Sequence, residues 1–266
     1  MSSEKITFED LGLAPGLLRA LDDLGHRRPT PIQEQTIPLL LDGCDVLGAA
    51  RAGTGKTGAY LLPTLQRLAF AGAARPRQAR ALILTPTRAF ALQVLEAARS
   101  YAAHLELRSA VVHGGVKMPP QRRQLAAGVD LLVATPGRLR DLLGQNAVRF
   151  DHLEVFVLDE ADRMLDMGFI HDIGRLTDQL PRNRQTLMFS ATFSPDIRRV
   201  AERCLDEPRQ VRMVTARGRR HRARGTSIDP AAPAAGGRPS RPARVFQSPA
   251  SPPRQAAGAP RRSRAG

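Results

Sequence analysis

Ala50-Arg51-Ala52-Gly53-Thr54-Gly55-Lys56-Thr57 ends in a Lys-Thr pair preceded by glycines, the spacing of a phosphate-binding loop. The apolar run 45–50 precedes it and a helical pattern through Leu61, Leu62, Leu65 and Leu68 follows, the strand, loop, helix order in which such a loop works. Glycine lets backbone N–H groups close on phosphate oxygens, and a helix start turns the positive end of its dipole toward the anion. Lys56 is therefore expected to reach the outer phosphates of a nucleotide, and the Thr57 hydroxyl to ligate Mg²⁺.

About a hundred residues later, Val155-Phe156-Val157-Leu158 runs into Asp159-Glu160-Ala161-Asp162. An apolar run without polar alternation fits a strand buried on both faces of a parallel sheet, and ligands collect at the carboxyl ends of such strands. Asp159 is expected to hold Mg²⁺ through water, and Glu160 to position an attacking water. An acidic strand end alone is more often a helix N-cap. Lys56 and Thr57 in the same chain reverse that preference, so Lys56, Asp159 and Glu160 form the expected catalytic set.

These groups need a scaffold. Apolar runs at 44–50, 81–84, 110–112, 131–134, 155–158 and 186–189 alternate with helical patterns at 56–70, 88–103, 136–143 and 195–204. Strands alternating with helices predict an α/β domain, a doubly wound and mostly parallel sheet with right-handed connections, over residues 1–214.

With these motifs in register, the chain resembles the first RecA-like domain of a DEAD-box RNA helicase, most similar to the RhlE-type branch through the stretch DEADRMLDMGFIHDI at 159–173. The resemblance covers about four fifths of the chain and implies ATP and Mg²⁺ as cofactors and RNA as partner, within RNA-processing machinery. Phe8, Gly25 and Pro29-Thr30-Pro31-Ile32-Gln33 resemble the Q motif, here within 6–34, in which the aromatic stacks on adenine and the Gln reads its edge. The resemblance extends nucleotide binding to Phe8, Gln33 and the loop residues Ala50, Arg51, Ala52, Gly53, Thr54 and Gly55. It assigns RNA contacts to Pro86-Thr87-Arg88, to Gly114-Gly115 and to Thr135-Pro136-Gly137-Arg138. It gives Asp162 and Ser190-Ala191-Thr192 the coupling of nucleotide state to strand separation. The chain departs from the pattern where Arg51 and Ala52 replace a polar Gln-Thr pair, and where Ala89-Phe90 replaces Glu-Leu after Pro-Thr-Arg. His26 stands where Phe or Tyr is common.

Charge is uneven along the chain. Residues 215–266 hold twelve Arg, no Lys and one acid, Asp229, a balance of +11 out of the total +15 that leaves +4 for residues 1–214. With eight Pro and little apolar periodicity, this segment is expected to be a disordered basic tail that contacts phosphates nonspecifically. Two origins fit the composition: a selected RNA-binding arm, or out-of-frame translation of GC-rich DNA, in keeping with 37 Arg against three Lys in the whole chain. In the resembled family a second domain supplies arginines to the γ-phosphate. Nothing after Val214 resembles its His-Arg-Ile-Gly-Arg-Thr-Gly-Arg motif, so the chain reads as truncated, with severely impaired turnover. The alternative is a non-catalytic RNA-binding or regulatory module. Cys44 and Cys204 form no paired motif, no 18-residue apolar run exists, and the polar start MSSEKITFED is unlike a signal peptide; a cytoplasmic, non-membrane protein is expected.

Overall fold

The computed structural model describes residues 6–50, 53–70 and 72–212. Arg51, Ala52 and the whole basic segment 215–266, with its expected disorder, lie outside the described residues. In chain order the elements are α1 (Pro15–Asp23), α2 (Pro31–Leu41), β1 (Val46–Ala49), α3 (Lys56–Ala69), β2 (Ala79–Leu84), α4 (Arg88–Tyr101), β3 (Ser109–Val112), α5 (Met118–Ala126) and β4 (Val129–Ala134). They continue through α6 (Pro136–Gly144), β5 (Val155–Leu158), α7 (Ala161–Asp166), α8 (Ile170–Gln179), β6 (Gln185–Ser190), α9 (Pro195–Cys204) and β7 (Arg209–Arg212).

The strands pair in the order β3-β4-β2-β5-β6-β1-β7, every pair parallel, with Ile83 opposite Val157 and Val157 opposite Leu187 in the centre. Alternate residues feed two cores. Ile83, Val133, Val155, Val157, Leu187 and Phe189 pack with residues of α1, α2, α3 and α4. Leu82, Leu84, Leu132, Phe156, Leu158 and Met188 pack with residues of α5, α6, α7, α8 and α9. Helices on both faces are why the central strands read as unbroken apolar runs: neither face meets water.

The α/β prediction holds, and the sheet is all parallel rather than mostly so. The run-based reading found six strands; β7, Arg-Gln-Val-Arg, buries only Val211 and has no apolar signature, its place set by pairing with β1. Helix α2 was also illegible from periodicity, since it carries Pro38 inside and no clean apolar stripe. Helix α5 opens Met-Pro-Pro and buries only Gln121 and Leu125. Proline in a first helical turn is tolerated because its missing N–H would have had no partner there.

Candidate nucleotide and RNA site

Sheet order divides the carboxyl edge into two halves. Strands β5, β6 and β1 are consecutive and carry Asp159, Ser190 and the phosphate loop; β3, β4 and β2 are consecutive and lead into the segments at 113–115, 135–138 and 85–88. The nucleotide and RNA candidates therefore lie side by side on one rim, the position where ligands bind to open parallel sheets.

In the first half, the Ala50 N–H still donates to the Ser190 carbonyl at 3.1 Å. Gly55 precedes α3 with φ +92°, and a Cβ there would lie 2.5 Å from Thr30 Oγ1. Glycine is thus required at this position both by conformation and by space. Gln33 fastens the loop from below: its Oε1 accepts from the Thr30 N–H at 2.8 Å and its Nε2 donates to the Gly55 carbonyl at 3.1 Å. Both ends of the amide expected to read adenine are engaged in this way. Phe8, expected to stack on the base, is buried in the apolar core.

Lys56 opens α3 and is only 5% exposed. Its Nζ pairs with Glu160 Oε1 and lies 3.5 Å from Asp159 Oδ1. Tyr60, one turn along α3, donates from its hydroxyl to Asp159 Oδ2 at 2.9 Å, and the Thr57 side chain hydrogen-bonds the same phenol. Burial holds the Asp159 carboxyl above its usual range, against the opposing pull of Lys56 and the Tyr60 hydrogen bond. Burial, reinforced by Asp159, pushes the Tyr60 phenol well up. Glu160 sits at the N-cap of α7 in the left-handed region, φ 55°. A non-glycine residue there costs about 1–3 kcal/mol of backbone strain, a cost that concentrates at functional sites.

The residues fit a nucleotide-bound divalent cation. Asp159 Oδ1 is buried and accepts no hydrogen bond. Among the described residues no group of three His, Cys, Asp or Glu could hold a metal unaided. Phosphate oxygens and water would have to complete the shell, which is how Mg²⁺ binds in nucleotide sites.

The residues expected to couple nucleotide state to strand separation converge on one oxygen. Asp162 Oδ2 accepts from the N–H groups of Ala191 and Thr192, both at 3.1 Å, and from Thr192 Oγ1 at 3.3 Å, while Ser190 Oγ donates to the Thr192 carbonyl at 2.8 Å. In the other half of the rim, Thr87 caps α4 by accepting from the Phe90 N–H at 3.4 Å, and Arg88 is the first residue of that helix. Thr135 precedes Pro136 at the start of α6, so two helix N-termini face this rim. Arg138 donates through Nη2 to the Val116 carbonyl at 3.0 Å, while its Nε and Nη1 are buried without a hydrogen-bond partner. Those two donors suit phosphate oxygens. Gly115, φ +78°, turns the Gly114-Gly115 loop beside it.

Residue reading missed Tyr60 and Arg163. Tyr60 stands four positions after Lys56, a spacing that places both on one helix face and could have flagged it. Arg163 Nε lies 3.6 Å from Glu160 Oε2, an i,i+3 pair.

A doubly wound parallel sheet with a phosphate loop after β1 and a buried acid pair after β5 defines a RecA-like P-loop domain. A family model described as DEAD/DEAH box helicase matches residues 30–200, and the chain belongs to that family. It is 45% identical over 216 residues to the ATP-dependent RNA helicase RhlB of Xanthomonas axonopodis pv. citri, covering 79% of this chain and 38% of that one. It is 43% identical over 217 residues to the ATP-dependent RNA helicase DeaD of Escherichia coli K12, covering 81% and 34%. The crystal structure of a DEAD box protein from Methanococcus jannaschii superimposes with a TM-score of 0.73 at 31% identity, covering 79% of this chain and 56% of that one. The chain spans between about a quarter and two fifths of the length of the curated relatives it matches.

Proposed function

We propose that the domain binds Mg·ATP on the β5-β6-β1 half of its rim and single-stranded RNA on the β3-β4-β2 half, as the first RecA-like domain of an RNA helicase. The observation that carries the reading is Lys56, buried at the start of α3 against Asp159 and Glu160. Bound Mg·ATP supplies a phosphoanhydride whose charge the cation neutralises. Lys56 would exchange Glu160 for phosphate oxygens; Thr57 and Asp159 would hold the cation, which would neutralise phosphate charge; Glu160, once released, would orient the attacking water. Asp162 reports the state of this acid cluster to Ser190-Ala191-Thr192. A cytoplasmic setting, work within RNA-processing machinery and the RhlE-type branch accompany this reading, the last supported by the stretch 159–173.

Titration with a fluorescent methylanthraniloyl-ATP, with Mg²⁺ or with chelator, and phosphate release with and without a single-stranded RNA decamer test it. Expected are Mg²⁺-dependent binding and a release rate that falls in Glu160→Gln while affinity is kept. Absence of binding defeats the nucleotide assignment. Release unchanged by Glu160→Gln would remove the water-orienting role of Glu160.

The reading places one cooperative domain at 1–214 and a separate basic segment at 215–266. Limited trypsin digestion is a demanding check, because the segment offers twelve arginines. A fragment ending near Arg212 is expected to outlast all others; digestion of the domain at the same rate as the segment would refute the boundary.

A further inference from the structure

We propose that Arg163 is a positioning residue that shares the charge of Glu160 and so frees Lys56 for phosphate, with Phe90 holding Arg163 in place. The inference rests on the nucleotide reading above. Glu160 has a cation on each oxygen, Lys56 on Oε1 and Arg163 Nε 3.6 Å from Oε2. Lys56 cannot serve the phosphates and Glu160 fully at once, so any second cation on that carboxylate weakens the competing ion pair and favours nucleotide. When Lys56 leaves, Arg163 remains to fix one oxygen while the other faces water.

Glu160 is buried but Arg163 is largely exposed, and an ion pair with a solvent-exposed arginine usually contributes little, because the long side chain must be ordered to make it. Arg163 has help. Its guanidinium carbon lies 5.1 Å from the centroid of the Phe90 ring, within cation–π range, which narrows the conformations the arginine samples. Phe90 is one of the two departures after Pro-Thr-Arg, and a leucine there would offer no ring face. Its N–H is the one capped by Thr87, so the ring is tied to the 86–88 segment assigned to RNA. The contact thus links a candidate RNA-binding turn to the water-orienting carboxylate through two side chains.

The test is a double-mutant cycle on the full chain, read as equilibrium affinity for Mg·methylanthraniloyl-ATP and therefore independent of turnover. Arg163→Gln is expected to weaken binding roughly two- to fivefold, the range of a pair whose cation is solvent-exposed. Glu160→Gln is expected to tighten binding by releasing Lys56. In the Glu160→Gln background, Arg163→Gln is expected to change nothing. Arg163→Lys restores part of the affinity, and Phe90→Leu gives a smaller loss that vanishes when Arg163 is already Gln. Unfolding midpoints report any variant that fails to fold, and Arg163→Lys and Phe90→Leu supply independent arms. An equal loss with or without the Glu160 charge means that Arg163 acts directly on phosphate and overturns the proposal, as does no loss at all. A chain that binds no nucleotide overturns the underlying reading as well; a chain that binds but shows no coupling overturns only the role of Arg163.

Discussion

Lys56→Ala is expected to abolish or severely weaken Mg·ATP binding and, in the same protein, to lower stability by an amount that grows with pH. The binding loss follows from removing a charge-assisted contact of about 1.5–3 kcal/mol, roughly one to two orders of magnitude in affinity. The stability loss has a separate cause. Lys56 is the buried cation between Asp159 and Glu160, and removing one partner of a buried ionic group typically costs about 3–5 kcal/mol. Asp159 sets the pH dependence. Burial raises its folded pKa above the ordinary carboxylate value, so the folded state retains a proton that the unfolded chain has released. Stability contributed by that proton is lost as pH rises from the usual carboxylate range through the raised folded value. Without Lys56, which pulls the pKa down, the window extends upward and the penalty is fuller at neutral pH than in acid. Urea unfolding of both proteins from acid to neutral pH measures it. Equal stability at every pH would mean that the buried charges are compensated by something other than Lys56.

Removing residues 215–266 is expected to flatten the salt dependence of RNA binding. Each phosphate neutralised on a single strand contributes about −0.7 to the slope of log affinity against log salt. Six of the twelve arginines on phosphates would give a loss of roughly 10²–10³ in affinity between about 50 and 200 mM salt. Residues 1–214, at +4, have far less charge to offer. The measurement is a set of titrations against a single-stranded oligonucleotide at several salt concentrations, with and without the segment. An unchanged slope would place binding in the folded rim, at 86–88, 114–115 and 135–138.

Residues whose role depends on local order were readable without coordinates. The loop before Lys56 needs glycines and a following helix, and both are written in adjacent residues; the strand ending at Asp159 shows itself by four apolar residues in a row. What could not be read depends on strand order. Lys56 and Glu160 are 104 positions apart, and only the placement of β5, β6 and β1 as consecutive strands brings them together. Their pairing follows from burial: a buried ammonium must find a carboxylate. Gln33 is the same case in neutral form, an amide with a family role toward adenine that here satisfies two backbone groups. The resemblance singled out Gln33 for adenine; its hold on the Thr30 N–H and its reach to Gly55 required the packing of α2 against α3.

One strand boundary separates the two halves of the rim. Strand β2 meets β5 along a parallel ladder that ends where the Asp159 N–H donates to the Leu84 carbonyl at 3.0 Å, with Leu84 and Leu158 fully buried. Such a seam at the centre of a sheet opens only with the whole domain. Backbone shear between the halves is therefore too costly to carry a message during turnover. Communication has to ride above the seam, on side chains that can rotate without breaking the ladder, and a change confined to those side chains could retune the conversation while leaving the fold's resistance to unfolding untouched.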